Sequence, residues 1–129
     1  GNWWKGLSEA RFADSERALM RLNSIPEDAY TIKDVRLEGS NDFIHEIRVK
    51  GEREGLPVLV LIHGYMSGGM QFCKMMRHLR KYFEVITVDL LGMGASSRHG
   101  QADLQGFEQA RHYFLNSIYR WSKASNVGQ

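Results

Sequence analysis

The chain has one cysteine, Cys73, in 129 residues. It therefore cannot form an internal disulfide, which fits a reducing compartment. It has no long apolar run. The longest, Leu56 to Ile62, falls far short of the roughly 20 residues that a membrane span needs. No basic-then-apolar leader opens it, so it shows no mark of a secretory signal. It begins on Gly1, as a processed or cut chain does. Nor does it carry a charge excess: the net charge is +2, and the basic residues stand singly among acids. That argues against nucleic acid as a partner. His45, His78, His99 and His112 show no metal-ligand spacing, so no metal is expected. There is no repeat and no low-complexity tract. What remains is an ordinary globular composition, 43% hydrophobic and 25% charged, of one-domain length.

Residues 1–7 form an aromatic leader containing Trp3 and Trp4. The pattern then predicts a helix from Ser8 to Leu22, with Ser8 as N-cap. Phe12, Leu19 and Leu22 share its apolar face, and Ser15 and Glu16 lie between them. Pro26 ends it. Two strands follow, Thr31 to Leu37 and Phe43 to Lys50, joined by the turn residues Gly39 to Asp42. The second alternates: Phe43, His45, Ile47 and Val49 point one way, and Ile44, Glu46, Arg48 and Lys50 the other. This predicts one wet face, as in an antiparallel edge hairpin.

After the polar loop 51–55 the character changes. Pro57 to Ile62 is continuously apolar and predicts a strand buried on both faces. Gly68 to Phe83 reads as a helix with Phe72, Met76, Leu79 and Phe83 on one stripe. Glu84 to Asp89 is a second buried strand. Leu104, Phe107, Phe114, Ile118 and Trp121 mark a last helix, and a small polar tail follows. The fold class is thus α/β: an N-terminal helix and an antiparallel hairpin, then strand–helix–strand–helix of a mostly parallel sheet. One domain is expected over 1–129, divided into leader and helix (1–27), hairpin (28–55) and the strand–helix unit (56–129).

Two loops carry the chemical signal. His63-Gly64-Tyr65-Met66-Ser67-Gly68-Gly69 follows the first apolar strand. A parallel strand delivers such a loop to the carboxyl edge of its sheet, where ligands bind in open α/β folds. Its glycines let backbone N–H groups approach a ligand, and such donors stabilise an oxyanion. Asp89-Leu90-Leu91-Gly92-Met93-Gly94-Ala95-Ser96-Ser97-Arg98 follows the second strand. Asp89 is suited to accept N–H bonds within that loop.

Val-Leu-Ile-His-Gly-Tyr, a helix, then Asp-Leu-Leu-Gly-Met-Gly-Ala-Ser-Ser resembles the α/β-hydrolase superfamily over about Thr31 to Trp121. The leader, with Asp-Leu-Leu-Gly and Ser-Ser-Arg, further resembles one subgroup. It includes the co-activator of adipose triglyceride lipase and the lipase of N-acyl-phosphatidylethanolamines. The resemblance implies that the Tyr65 N–H is an oxyanion-hole donor and that Gly64 shapes the loop. It implies structural roles for His63, Asp89, Gly92, Gly94 and Ser96. The family's nucleophile lies in Gly-x-Ser-x-Gly after the fifth strand, and that pattern is absent here. Ser67 has the wrong spacing, and Ser96 lacks a closing Gly. The expectation is therefore the N-terminal portion of a lipase- or esterase-like serine hydrolase, inactive alone because nucleophile, acid and catalytic His are missing. The alternative is a non-catalytic lipid-binding or co-activator protein of the same fold.

Blander readings stand beside these. Ser96, His63 and Asp89 make a triad only on paper, because triads are defined by geometry. Gly92-x-Gly94 is too short a match for a dinucleotide fingerprint, so no cofactor is expected. Cys73 reads as a packed core thiol. Met66 and Met70 either line an acyl pocket or simply pack. Trp3 and Trp4 either settle at a membrane or lipid-droplet surface or pack on the body. The location expected is cytoplasmic, free or peripheral on such a surface. The strand Val58–Ile62 is expected to be an open apolar edge. Either the C-terminal remainder of the hydrolase or a second copy would cover it, and the ligand expected is a lipid or ester substrate.

Overall fold

Chain reversal begins at Ser24, which takes the left-handed conformation (φ 60°) and lets the Ile25 N–H reach back to the Met20 carbonyl at 3.0 Å. That closes the first helix in a Schellman-type cap, with Pro26 just beyond. In the computed structural model, which describes residues 3–64, 67–98 and 104–128 (side chains from Glu9 onward), this helix is α1, Trp3–Leu22. The strands are β1 (Tyr30–Arg36), β2 (Phe43–Val49), β3 (Val58–Ile62) and β4 (Glu84–Val88). Two further helices are α2 (Cys73–Leu79) and α3 (Gly106–Ala124), and 3₁₀ turns occupy Glu27–Ala29 and Gly69–Phe72.

The four strands form one mixed sheet in the order β1-β2-β4-β3. β1 pairs β2 antiparallel, β2 pairs β4 antiparallel, and β4 pairs β3 parallel. The registers bring Ile32, Ile47, Thr87 and Leu61 into one row across the sheet. On that face Met20 of α1 and Met76 of α2 pack with Tyr30, Ile47, Val49 and Val85. On the other, Trp121 of α3 packs with Val35, Ile44, Ile86, Val88 and Leu91. The sheet is therefore a middle layer between helices, the arrangement that lets apolar strands bury both sides.

Several expectations need correction. α1 starts at Trp3, so Ser8 lies inside the helix and does not cap it. Among its described side chains the buried ones are Glu16 and Met20; Phe12 and Leu22 are exposed. The region 68–83 splits into a 3₁₀ turn and a seven-residue helix. β2 has no wet face, because it is an inner strand and α3 covers the side bearing Glu46. β3 is the sheet's outer strand, with Val58 49% and Ile62 46% exposed, where the apolar run predicted burial on both faces. Phe107, one of the residues that marked the last helix, is 75% exposed. Among the described residues no helix is long and apolar enough to cross a membrane.

Candidate functional site

Because β3 and β4 run parallel, the loops that follow them leave the same edge of the sheet. Asp89 joins these loops. Its Oδ1 accepts the Gly69 N–H at 2.6 Å and its Oδ2 accepts the Ala95 N–H at 2.9 Å. Ionised acceptors make the shorter, stronger hydrogen bonds. Close approach requires small residues here. A Cβ on Gly69 would lie 2.8 Å from Thr87 Oγ1, and one on Gly94 would lie 2.1 Å from Asp89 Oδ2. Gly94 also has φ +53°, a region that side chains disfavour.

His63 is buried, and both of its nitrogens are engaged. Nδ1 donates to the Gly64 carbonyl at 2.7 Å, and Nε2 accepts the Leu90 N–H at 2.9 Å. The Ser96 hydroxyl donates to the Asp89 carbonyl and accepts the His45 N–H at 2.8 Å. These bonds leave Ser96 and His63 turned to backbone groups and not to each other, so the paper triad does not assemble. Gly92 donates to the Ser97 carbonyl at 2.7 Å, and Arg98 reaches the Gly92 and Gly94 carbonyls at 2.6 and 2.8 Å. Met70 packs against the core beneath the loop, and Cys73 is buried and free. Among the described residues, nothing lies within 4 Å of where a Cβ on Gly64 would stand. Tyr65 and Met66 lie outside the described residues, as do the side chains of Trp3 and Trp4.

The structure adds a group that spacing did not single out. His45 on β2 meets Asp89 just past the end of β4, where the Asp89 N–H donates to the His45 carbonyl at 2.9 Å. Its Nδ1 is 2.7 Å from Asp34 Oδ1, and its Nε2 is 2.9 Å from both oxygens of Glu16. Burial alone would lower the imidazole's pKa. The hydrogen bonds to Glu16 and Asp34, with the charges of Glu16 and Asp89, outweigh it and raise the pKa to about 9. His45 is therefore an imidazolium at neutral pH. Ligand atoms of Glu16, His45 and Asp89 lie within 4.8 Å of one another. Both ring nitrogens already face carboxylates, so the local chemistry is that of a buried ion cluster. The sequence signal was faint: a His among apolar Phe43, Ile47 and Val49, and a Glu between apolar helix positions.

Comparison with known proteins agrees with this geometry. The family model for the alpha/beta hydrolase fold matches residues 57–122, half of the chain. A 1-acylglycerol-3-phosphate O-acyltransferase of Arabidopsis thaliana is 36% identical over 75 residues, covering 58% of this chain and 18% of that protein. The chain spans about a fifth of the length of the curated relatives it matches. Among solved structures, a bacterial membrane phospholipase A superposes with a TM-score of 0.64 at 23% identity, over 94% of this chain and 34% of that one. A haloalkane dehalogenase from Agrobacterium tumefaciens superposes with a TM-score of 0.56 at 22% identity, over 78% and 30%. Such identities speak to the fold alone. The matched segment contains both glycine loops, the parallel strand pair and most of α3, and on that match the chain belongs to the α/β-hydrolase fold family.

Proposed function

We propose that this chain is the N-terminal part of a serine hydrolase or acyltransferase acting on lipid or other carboxylic esters. One observation carries the reading: a buried carboxylate, Asp89, staples two glycine loops together at the carboxyl edge of a parallel strand pair. This supports reading the loop 63–69 as held at its Gly69 end, with Tyr65 as the donor it would present. Its N–H would receive the oxyanion as a nucleophile from outside this chain attacks the acyl carbon. Gly64, with no described residue within 4 Å of where a side chain would stand, would leave room for the acyl group, and Met66 would border it, while Met70 packs beneath. The 36%-identical relative is named as an acyltransferase, which favours an alcohol as well as water as acceptor of the acyl group. The exposed outer strand β3 would receive the remainder of the hydrolase.

Fluorophosphonate labelling tests the reading. The full-length protein should label at one serine, and residues 1–129 alone should not. Labelling of the isolated chain would sink the claim that it lacks the nucleophile. A full-length protein that binds lipid but never labels would make the fold a co-activator or binding module.

A further inference from the structure

We infer that helix α1 sets the position of the glycine loop through one buried ionic link, which makes Glu16 and His45 positioning residues for the oxyanion donors. The inference rests on the proposed reading of the loop 63–69.

Among the described side chains of α1, residues 9–15 are all exposed, and only Glu16 and Met20 are buried. An aliphatic residue at position 16 would anchor a helix at no desolvation cost. Buried ion pairs often add no stability over apolar residues of similar size, and their best-attested use is to specify one arrangement. Here a carboxylate at 2% exposure is placed with both oxygens 2.9 Å from the His45 Nε2.

From His45 the connection runs to the loops by short steps. Its main chain holds both ends of the second loop: its carbonyl accepts the Asp89 N–H, and its N–H donates to Ser96 Oγ. One ring nitrogen and one carboxylate oxygen each of Glu16 and Asp89 lie within 4.8 Å of one another. Two buried carboxylates this close repel unless a cation stands beside them. The imidazolium supplies that cation. Asp89 then passes the constraint to the first loop through the Gly69 N–H at 2.6 Å. Removing the charge of Glu16 frees the imidazolium to move toward Asp89, whose oxygens must then be shared between the ring and the Gly69 and Ala95 amides.

The groups facing His45 are Glu16 and the edge of Phe12 from α1, Asp34 from β1, and Asp89 beyond β4. The two elements that must communicate, α1 and the glycine loop, are thus joined through two side chains, His45 and Asp89.

The test uses amide and imidazole NMR on this chain. Glu16→Gln should shift the Gly69 and Ala95 amide signals together with the His45 ring signals, and speed exchange of those amides about tenfold. Glu16→Asp should restore most of the effect. Leu22→Ala, an exposed change on the same helix, should move none of these signals. Unchanged Gly69 and Ala95 amides in a folded Glu16→Gln chain, with the ring signals altered, overturn the inference. If Glu16→Gln does not fold, Asp34→Asn perturbs the same ring from the solvent side, and unchanged loop amides there overturn it equally. In the full-length protein, Glu16→Gln should lower kcat about tenfold and leave KM within a factor of about two, the pattern of lost transition-state contacts. If the wild-type full-length protein performs no acyl chemistry, the proposed function falls, while the amide result still decides the link.

Discussion

At Gly94 two requirements coincide. The backbone is left-handed at φ +53°, and a Cβ would sit 2.1 Å from Asp89 Oδ2. Gly94→Ala must therefore strain the turn and push Asp89 off the Ala95 and Gly69 amides. A loss of about 2–4 kcal/mol is expected, measured by urea unfolding. Gly55 has a similar φ of +78° but open space around it, so Gly55→Ala should cost only about 1 kcal/mol. Equal losses would mean that the carboxylate contact contributes nothing. His45 sets the pH dependence. Its folded pKa of about 9 lies above the ordinary value of 6.5. The folded state thus holds a proton that the unfolded chain has released between these values, and stability falls as pH rises. The contribution is complete below about pH 6.5 and gone above about pH 9, with a total near 3 kcal/mol. Unfolding free energies measured across this window should decline in the wild type and stay flat in His45→Gln.

Among the elements, α3 is fastened by a buried carboxylate. Glu46 Oε2 accepts the Trp121 indole N–H at 2.9 Å and the Ser125 hydroxyl at 2.7 Å. Lys33 Nζ stands 3.3 Å from Oε1, in charge contact without hydrogen-bond geometry. Glu46→Leu would strand the indole N–H and the hydroxyl under the helix. A cost of about 3 kcal/mol is expected. Hydrogen exchange should show α3 amides losing protection while the β1–β2 ladder keeps it. Uniform loss across both would show that α3 is not a separable unit. The element boundaries were legible to within a few residues wherever apolar periodicity was strong, as in β1, β2, β4 and α3. They failed at α1. Phe12 and Leu22 suggest an apolar stripe, yet the helix turns Glu16 inward, because a buried imidazolium on β2 is waiting for it. β2 was misread for the same reason. A Glu and an Arg in alternation look like a solvated face until a tryptophan and a serine from a distant helix cover them.

For the molecule as a whole, the decisive feature is the free edge of β3. Val58 and Ile62 are half exposed on it, and Phe107, Leu115 and Tyr119 lie open on α3. Unpaired apolar edges recruit further strands. The isolated chain should therefore self-associate, and Ile62→Lys should shift it toward monomer without disturbing β1 or β2. Sedimentation velocity reads this directly, and a compact wild-type monomer would overturn it.

Local pattern was enough to mark the strands, the parallel unit and both glycine loops, because periodicity and turn chemistry are properties of neighbours along the chain. The family followed from those loops and their spacing. What the sequence could not decide was which buried charges meet. Glu16 and His45 are 29 residues apart, and Glu46 and Trp121 are 75 apart. Whether such a group is a solvated surface charge or a buried anchor depends on what packs over it, and only the tertiary fold brings those partners together.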